Sequence, residues 1–347
     1  MLEDFWRRIK ETELPVVLYG TGDAADKLID YLGRIGVRIC GVFASSSFVR
    51  NRTFHSFRVL SYEDARRIWG RMAVVMGFGT HDRETIGNIV RIAGENEFYC
   101  PCLLLDERGL PFDAAYYSEH RKDYEKLCTL LTDERSRTVF DAIISFRLTG
   151  DISYLLPVGE DEKESWKNLH FTSDETFVDI GAYDGDTVER FLDLTDGRYR
   201  EIVAFEPDGR SFRKAQKRLW GRERITLCNA LLSDRVEFVP FSSGEGRGNS
   251  RSQEGKERTT TTLDIALEGR RPTVLKFDAE GDEEKILEGG RRVIGEYRPK
   301  LILSVYHRID DFWRLPQKVL ALNRGYTKFT LRTSQTIPDW DIILLVE

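Results

Sequence analysis

The stretch FVDIGAYDGDTVERF, residues 177–191, decides the fold of the second half of this 347-residue chain. A short apolar strand ends at a glycine turn, and a helical pattern begins directly after it. This order is typical of a parallel α/β sheet, in which ligands bind at the carboxyl ends of the strands. Three aspartates, Asp179, Asp184 and Asp186, surround the turn. Because carboxylates repel phosphate, we expect a ligand with positive charge or hydroxyl groups. Helix capping is the structural alternative for the last two.

Apolar runs recur after this strand, and each one ends in a polar residue. The four runs that follow are EIVAFEP, RITLCNALL, TVLKFDAEG and KLILSVYH. Together with the first strand they predict a doubly wound sheet whose ligands bind where the strand ends meet. We assign this sheet to residues 166–347.

The beginning of the chain repeats the same order of elements. The segment PVVLYGTGDAADKLIDYL, residues 15–32, has the pattern of a strand, a glycine turn and a helix, and two further strands follow. The predicted fold class is therefore α/β, with two doubly wound Rossmann-like sheets joined by a helical connector. We place the first, Rossmann-like module in residues 1–108 and the connector in residues 109–165.

Composition and charge describe an ordinary globular protein. The net charge is only −6, so the totals predict no nucleic-acid partner. No apolar run approaches the roughly 20 residues that cross a bilayer, and the charged start of the chain does not resemble a secretory signal. These features predict a cytoplasmic protein without a membrane span. The five scattered cysteines fit reduced thiols, and Cys100 and Cys102 lack the spacing of a zinc site.

Three predicted strand ends suit the parts of an adenosine. Asp179 ends the first strand, and Gly181 lets the backbone turn sharply beneath a ligand. Glu206 ends the second strand, where a carboxylate can accept both ribose hydroxyls. Asn229 and Ala230 end the third, where an amide can meet the adenine edge beside a small side chain. With acids available for an ammonium and a sulfonium group, the pattern favours S-adenosylmethionine, which carries no phosphate.

Six ordered blocks of the sequence resemble the FkbM-type methyltransferases. They are FVDIGAYDGDT, AFEPD, CNALLSD, TTLDIAL, LKFDAEGDEEKILEGG and LILSVYHRIDDFW. The resemblance covers about residues 130–347. It implies a class I methyltransferase domain in residues 166–347 that uses S-adenosylmethionine, and an acceptor that is a sugar hydroxyl or a glycan precursor. It implies cofactor contacts for Asp179, Gly181, Asp184, Glu206 and Asn229. We add their neighbours at the same strand ends, which are Ala182, Tyr183, Asp186, Thr187, Pro207 and Ala230.

Methyl transfer to a hydroxyl requires that its proton be removed, and four side chains at strand ends are candidates for this chemistry. Lys276, Asp278 and Glu280 alternate along the fourth strand, so they share one face, and His307 ends the fifth. His307 with a pKa near neutral is a natural base. As an alternative to a histidine base, Asp278, Glu280 and His307 could hold a divalent ion that lowers the pKa of the hydroxyl. For Lys276, the alternative to a catalytic role is an internal ion pair with an acid. We assign no metal ligand, because a hard ion draws on more oxygen ligands than these.

The first glycine turn suits a phosphate better than NAD. Gly20 and Gly22 follow a strand, but the acid expected at the end of the second strand is missing. Serines 45–47 stand there, with Arg50 and Arg52 just beyond, and these side chains suit a nucleotide phosphate. A scaffold that binds nothing is the alternative.

Two rival functions compete with methyl transfer at this stage. A non-catalytic nucleotide-binding or sensor protein would keep the pocket without turnover, and a nucleotide-sugar oxidoreductase would use the first glycine turn. The missing acid disfavours the oxidoreductase. The Gly- and Ser-rich segment 234–262 is a solvated loop or a flap over the substrate.

Overall fold

The structure is a computed structural model, and it describes residues 4–45, 49, 52–106, 108–241 and 256–347. Arg50, two of the three serines beside it and the middle of the Gly- and Ser-rich segment lie outside these residues. The chain divides into two compact units. The first comprises residues 1–122, 137–160 and 333–341, and the second comprises residues 123–136, 161–332 and 342–347.

The division into units does not follow the chain in one direction. The late segment 333–341 belongs to the first unit, and the predicted connector 109–165 is shared between the two. A linear pattern cannot show such returns of the chain, because they depend on long-range packing. The limits at residues 108 and 165, which separate the three predicted segments of the chain, remain a prediction.

The first unit is built on a six-stranded sheet. Its strands are β1 (Val16–Tyr19), β2 (Ile39–Phe43), β3 (Thr53–Phe54), β4 (Phe57–Leu60), β5 (Ala73–Met76) and β6 (Glu97–Tyr99). Its helices are α1 (Phe5–Glu11), α2 (Asp23–Arg34), α3 (Tyr62–Trp69), α4 (Arg83–Glu95) and α5 (Ala114–Glu119), and α6 (Arg121–Leu130) and α7 (Glu134–Thr149) cross the limits of the units. The strand order is β3-β4-β2-β1-β5-β6, parallel except for the β3–β4 pair. The predicted alternation of parallel strands and helices is confirmed.

The second unit contains a seven-stranded sheet and a small three-stranded sheet. The strands are β7 (Thr176–Ile180), β8 (Glu201–Phe205), β9 (Ile225–Cys228), β10 (Leu231–Ser233), β11 (Phe238–Phe241), β12 (Lys256–Thr262), β13 (Val274–Phe277), β14 (Lys300–Ser304), β15 (Phe329–Thr333) and β16 (Ile342–Val346). The helices are α8 (Glu162–Trp166), α9 (Asp186–Leu194), α10 (Gly209–Arg218), α11 (Leu263–Ala266), α12 (Glu283–Gly289), α13 (Arg291–Tyr297) and α14 (Asp311–Leu322). The large sheet has the order β15-β16-β14-β13-β7-β8-β9, and the small one has the order β10-β12-β11.

The core of the second unit surrounds β13, the central strand of the large sheet, and its neighbour β7. Every residue of β7 and β13 is buried, which suits parallel strands covered on both faces. Phe177 of β7 stacks on Phe191 of α9, with 4.3 Å between the ring centroids. The chain runs from β7 to β8 and β9 on one side, and then adds β13 and β14 on the other. In open α/β sheets such a reversal of strand order is where ligands bind, here at the carboxyl ends of β7 and β13.

None of the helices in the described ranges has both the length and the apolarity needed to cross a membrane.

Candidate functional site

The predicted cofactor positions lie at one edge of the large sheet, at the carboxyl ends of β7, β8 and β9. Asp179 lies in β7, close to its carboxyl end. The turn after β7 and the start of α9 carry Gly181, Ala182, Tyr183, Asp184, Asp186 and Thr187. The residues that follow β8 are Glu206 and Pro207, and those that follow β9 are Asn229 and Ala230. Because β7 pairs with β8 and β8 with β9, the three strand ends are neighbours in space.

The glycine turn after β7 is tight and needs the conformational freedom of glycine. Gly181 has a φ of +82°, and a Cβ atom there would lie 1.8 Å from the carbonyl oxygen of Asp278. Gly185, at φ +89°, precedes the first residue of α9. The amides of Gly181 and Ala182 both donate to Phe205 O at 3.0 Å, which ties the turn to β8. A side chain at position 181 would therefore force the turn away from β13.

Glu206 joins the end of β8 to this turn. It is 7% exposed, and its Oε2 accepts a hydrogen bond from Tyr183 N at 2.8 Å while Oε1 accepts one from Asp208 N at 2.7 Å. Burial raises the pKa of Glu206 to about 7, against the effect of the two amides, and the nearby Asp208 and Asp179 act in the same direction as burial. Each carboxylate oxygen has acceptor capacity beyond one amide, so Glu206 can also accept hydroxyl donors.

The side chain of Asn229 bonds to the protein itself. Its Nδ2 donates to Glu206 O at 2.8 Å and to Pro207 O at 3.1 Å, so the amide joins the ends of β8 and β9. Arg258 of β12 strengthens this junction, because it donates to Pro207 O at 2.9 Å and to Asn229 O at 3.1 Å. Arg258 was not predicted from the sequence, because it follows a polar segment without any periodic pattern.

Asp179 faces a cation of the protein. Its carboxylate is fully buried, with Oδ1 3.2 Å from Lys276 Nζ, and Lys276 also donates to Gly181 O at 3.1 Å. Burial raises the pKa of Asp179, although Lys276 opposes that rise. Burial alone would lower the pKa of Lys276, but Asp179 and Asp278 outweigh burial and raise it. The internal ion pair weighed as the alternative role of Lys276 is therefore present, and Asp179 is already neutralised by a side chain of its own unit.

The other two acids of the turn also have partners. Asp184 Oδ2 lies 2.6 Å from an Nη atom of Arg218, and Asp186 Oδ1 accepts a hydrogen bond from Thr187 N at 2.9 Å. Asp186 is the first residue of α9, where a negative charge suits the helix dipole. Asp184 Oδ1, in contrast, is buried and has no hydrogen-bond partner among the described residues. Asp184 and Asp186 therefore both interact with other groups of the protein, but Oδ1 of Asp184 can still accept a hydrogen bond.

A second group of side chains meets where β13 and β14 end. His307 Nε2 lies 3.4 Å from Asp278 Oδ1 and 3.8 Å from Glu280 Oε2, and His307 Nδ1 lies 2.9 Å from Glu283 Oε1. Lys276 Nζ lies 3.5 Å from Asp278 Oδ2. The structure thus brings together all four side chains predicted for catalysis, and adds Glu283.

Glu283 was not predicted, although it is fully buried. It is the first residue of α12, and its Oε1 accepts a hydrogen bond from Ala279 N at 2.6 Å. In sequence, an acid in the first turn of a helix indicates only helix capping. Its contact with His307 depends on the pairing of β13 with β14, which places the two loops side by side.

The carboxylates around His307 hold it in the protonated state. Burial alone would lower the pKa of His307, but Glu283, Asp278 and Glu280 outweigh it and raise this pKa to about 10. The expectation of a histidine pKa near neutral is therefore wrong. Burial would raise the pKa of Asp278, but Lys276 and His307 outweigh burial and lower it. At neutral pH, the site thus presents a carboxylate between two cations.

The glycine turn of the first unit carries acids as well. Gly20 has a φ of +122°, and a Cβ atom there would lie 2.9 Å from the Phe78 ring, so the turn is closely packed. Gly22 precedes α2, whose first turn contains Asp23 and Asp26. Carboxylates at this helix N-terminus weaken its attraction for phosphate.

The end of β2 offers hydroxyl groups in place of an acid. Ser45 Oγ lies 2.9 Å from Tyr19 Oη, and the guanidinium of Arg52 donates to the hydroxyl of Thr21 between the two glycines. One arginine therefore lies beside the turn, as the sequence suggested.

Comparison with known proteins shows a similarity that lies within the second unit. Residues 179–328 match the family model of the methyltransferase FkbM domain. Over this range the chain is similar to the methyltransferase FkbM domain. The matched range begins with the buried Asp179 and includes the glycine turn, Glu206, Lys276 and His307.

A solved structure shares the fold at low sequence identity. The crystal structure of methyltransferase FkbM from Methylobacillus flagellatus KT is 21% identical, with a TM-score of 0.74 over 96% of this chain and 89% of that one. Two others have lower TM-scores of 0.34 each and cover 53% of this chain. These are precorrin-6y C5,15-methyltransferase from Geobacter metallireducens, 12% identical over 84% of its chain, and Aeropyrum pernix fibrillarin with natively bound S-adenosyl-L-methionine, 13% identical over 72%. The search of curated proteins found no match.

Proposed function

We propose that the second unit transfers a methyl group from S-adenosylmethionine to an oxygen atom of its acceptor. The observation that carries this proposal is the buried carboxylate of Glu206, bonded to the glycine turn where the strand order of the sheet reverses. The FkbM domain supports the methyl-transfer chemistry. The identity of the acceptor as a sugar hydroxyl or a glycan precursor rests on the family resemblance alone.

The residues at the turn suit this cofactor in two respects. Glu206 has acceptor capacity for the ribose hydroxyls, and Asp184 Oδ1 is a buried acceptor without a partner in the described part of the chain. The donors of an ammonium group would satisfy that oxygen. When bound, S-adenosylmethionine supplies an electrophilic methyl group on its sulfonium.

Asp278 is the side chain that we propose takes the proton of the acceptor hydroxyl. It is held between Lys276, 3.5 Å away, and His307, 3.4 Å away. Both neighbours are cations at neutral pH, so they stabilise negative charge that develops on the acceptor oxygen as its proton moves to Asp278. Glu280, whose side chain is 37% exposed, stands at the more open side of the cluster.

A divalent ion is the alternative means of activating the hydroxyl. Asp278, Glu283 and His307 each offer one ligand atom, and these atoms lie within 4.8 Å of one another, with Glu283 in the place that we expected for Glu280. A metal ligand must be a neutral imidazole, so an ion at this place would have to displace the proton of His307. Activity that survives a chelator supports the metal-free reaction, whereas activity lost to the chelator and restored by Mg²⁺ or Mn²⁺ would establish the ion.

The cofactor site is tested by calorimetry with S-adenosylhomocysteine. Loss of a hydrogen bond to a charged group costs roughly 1.5–3 kcal/mol, so Glu206→Ala should bind at least about tenfold more weakly. Glu201→Ala is the matched control, because Glu201 begins the same strand and pairs with Arg270 at 2.9 Å. Glu206→Gln removes the charge with a smaller change of shape. Unchanged affinity in both Glu206 variants would refute the site.

Turnover separates the methyltransferase from its rival, a non-catalytic nucleotide-binding or sensor protein. The protein is incubated with S-adenosylmethionine and a panel of sugars and glycan precursors, and S-adenosylhomocysteine and a mass gain of the acceptor are measured. Both products should form together. Binding of S-adenosylhomocysteine without any turnover across the panel would favour the sensor.

For the first unit we propose a nucleotide-phosphate ligand at Gly20 and Gly22, with Arg52 beside it. Asp23 and Asp26 at the same helix start favour the alternative, a scaffold without a ligand. A panel of nucleoside diphosphates and sugar nucleotides is tested for its effect on the melting temperature of the full chain. A shift that Arg52→Ala abolishes supports the ligand, and an unmoved melting temperature supports the scaffold.

A further inference from the structure

The segment that begins with α10 has a charge opposite to that of the whole protein. Residues 209–224 contain seven arginines and lysines and one glutamate, a net charge of +6 in a chain of net charge −6. The rest of the chain therefore carries −12. The total charge, from which no basic surface was expected, conceals this local excess.

The basic side chains lie on one exposed face of α10. Arg210, Arg213, Lys214 and Lys217 follow the spacing i, i+3, i+4, i+7 and are exposed, while the opposite face packs on the unit through Ala215 and its neighbours. We call these four residues the basic face.

Most of the basic face is not neutralised by acids of the protein. Arg218, beside it, pairs with Asp184 and Glu189. The side chains of Arg213 and Lys217 form no ion pair and no other polar contact with the described part of the chain. Their charges are therefore available to an external partner.

Trp220 projects from the end of the same segment. It is 88% exposed, which is more than any other large hydrophobic side chain in the described ranges. An indole ring is amphipathic and prefers the boundary between water and lipid, where lysine and arginine heads lie at the same depth.

We propose that the basic face and Trp220 form a docking surface for an anionic lipid bilayer. The cations would contact lipid headgroups, and the indole would enter the interfacial layer. A nucleic acid is the less suitable polyanion, because domains that bind it are strongly basic, whereas this chain has a pI of about 5.6. A helix of ten residues with one aromatic anchor supports reversible contact and not insertion. This proposal concerns binding, and it stands independently of the reaction proposed above.

The test is cosedimentation of the full chain with vesicles of phosphatidylcholine alone and with 30% phosphatidylglycerol. We expect binding only to the anionic vesicles, weakened by salt, with a blue shift of tryptophan fluorescence that Trp220→Ala removes. Each cation near such a surface contributes about fivefold to binding, so Arg213→Ala/Lys217→Ala should bind about 25-fold more weakly.

The matched control is Arg271→Ala/Arg324→Ala, which removes two exposed positive charges elsewhere in the same unit. It should bind almost as the unaltered protein does. Equal weakening by both double variants would refute the docking surface, as would absence of binding to anionic vesicles at low salt. Binding of RNA or single-stranded DNA through Arg213 and Lys217, without binding to vesicles, would assign the surface to nucleic acid and also overturn the proposal. Unchanged melting temperatures would show that the variants are folded.

Discussion

Replacing Glu283 by Gln should remove the proton that His307 keeps at neutral pH. Glu283 Oε1 lies 2.9 Å from His307 Nδ1, and the His307 side chain is 9% exposed. After burial, which lowers the pKa of His307, Glu283 is the largest influence on that pKa and raises it. Gln has nearly the same shape without the charge. The burial that lowers the pKa of His307 persists in this variant, but the largest influence that opposes it is gone. We therefore expect the pKa of His307 to fall from about 10 towards its ordinary value of 6.5.

The pKa difference sets the magnitude of the effect on stability. A histidine pKa of about 10 in the folded protein, against 6.5 when unfolded, corresponds to about 5 kcal/mol that favours folding with His307 protonated. Because the folded pKa is the higher one, this contribution is fully present below pH 6.5 and is lost as the pH rises to about 10. Between about pH 7.5 and 9, the free energy of unfolding should fall by about 1.4 kcal/mol per pH unit from this group. The Glu283→Gln variant should lack that slope.

The assay is a pH titration of the imidazole nitrogens by NMR, with denaturant unfolding at the same pH values. His307→Gln identifies the resonance among the five histidines of the chain. Glu284→Gln is the matched control, because Glu284 is the next residue of α12 but pairs with Arg314 at 2.9 Å. A His307 resonance that titrates near pH 6.5 in the unaltered protein would refute the reasoning, and so would a pKa near 10 retained in Glu283→Gln.

Two further substitutions test the turn and its ion pair. Gly181→Ala should abolish binding of S-adenosylhomocysteine and lower the melting temperature, because the new Cβ atom would lie 1.8 Å from a carbonyl oxygen. Gly197→Ala is the control, because Gly197 has a φ of +67° but open space around it, so this substitution should cost only the backbone strain of about 1–2 kcal/mol. Lys276→Met leaves Asp179 buried without its cation and should destabilise the protein by about 3–5 kcal/mol in urea unfolding, whereas Lys285→Met, at a side chain 42% exposed, should change stability by less than about 1 kcal/mol.

The two sheets could be predicted from the sequence because their signals are local. The apolar run of β7 and the glycine turn after it occupy consecutive residues, and the same holds for β1 and Gly20. Burial on both faces makes such strands continuously apolar, so their pattern is visible without knowledge of the fold. The place of residues 333–341 in the first unit has no comparable signal, since it depends on where a distant part of the chain returns.

The sequence predicted which residues lie at the strand ends, but it did not predict their charge states. Strand ends identified Asp179, Asp278 and His307, because the carboxyl edge of a parallel sheet collects them. Their charge states depend on which side chain faces which across different strands. Lys276 faces Asp179 because β13 pairs with β7 in register, and Glu283 reaches His307 because β13 also pairs with β14. Sequence spacing along one strand does not contain these contacts.

These charge states determine how a pH–rate profile of the proposed methyl transfer should be interpreted. A rise in rate near pH 7 would ordinarily be assigned to a histidine base, yet His307 has a pKa of about 10. Burial raises the pKa of Glu206 and of Asp311 to about 7, so two carboxyl groups ionise in the range usually assigned to histidine. Glu206 lies at the glycine turn after β7, and Asp311 accepts a hydrogen bond from Arg308 N at 2.7 Å near the His307 cluster. A change of the rate near pH 7 should therefore report the ionisation of a carboxyl group. Deprotonation of His307 should appear instead as a loss of activity at about pH 10, because it removes the cation beside the proposed proton acceptor.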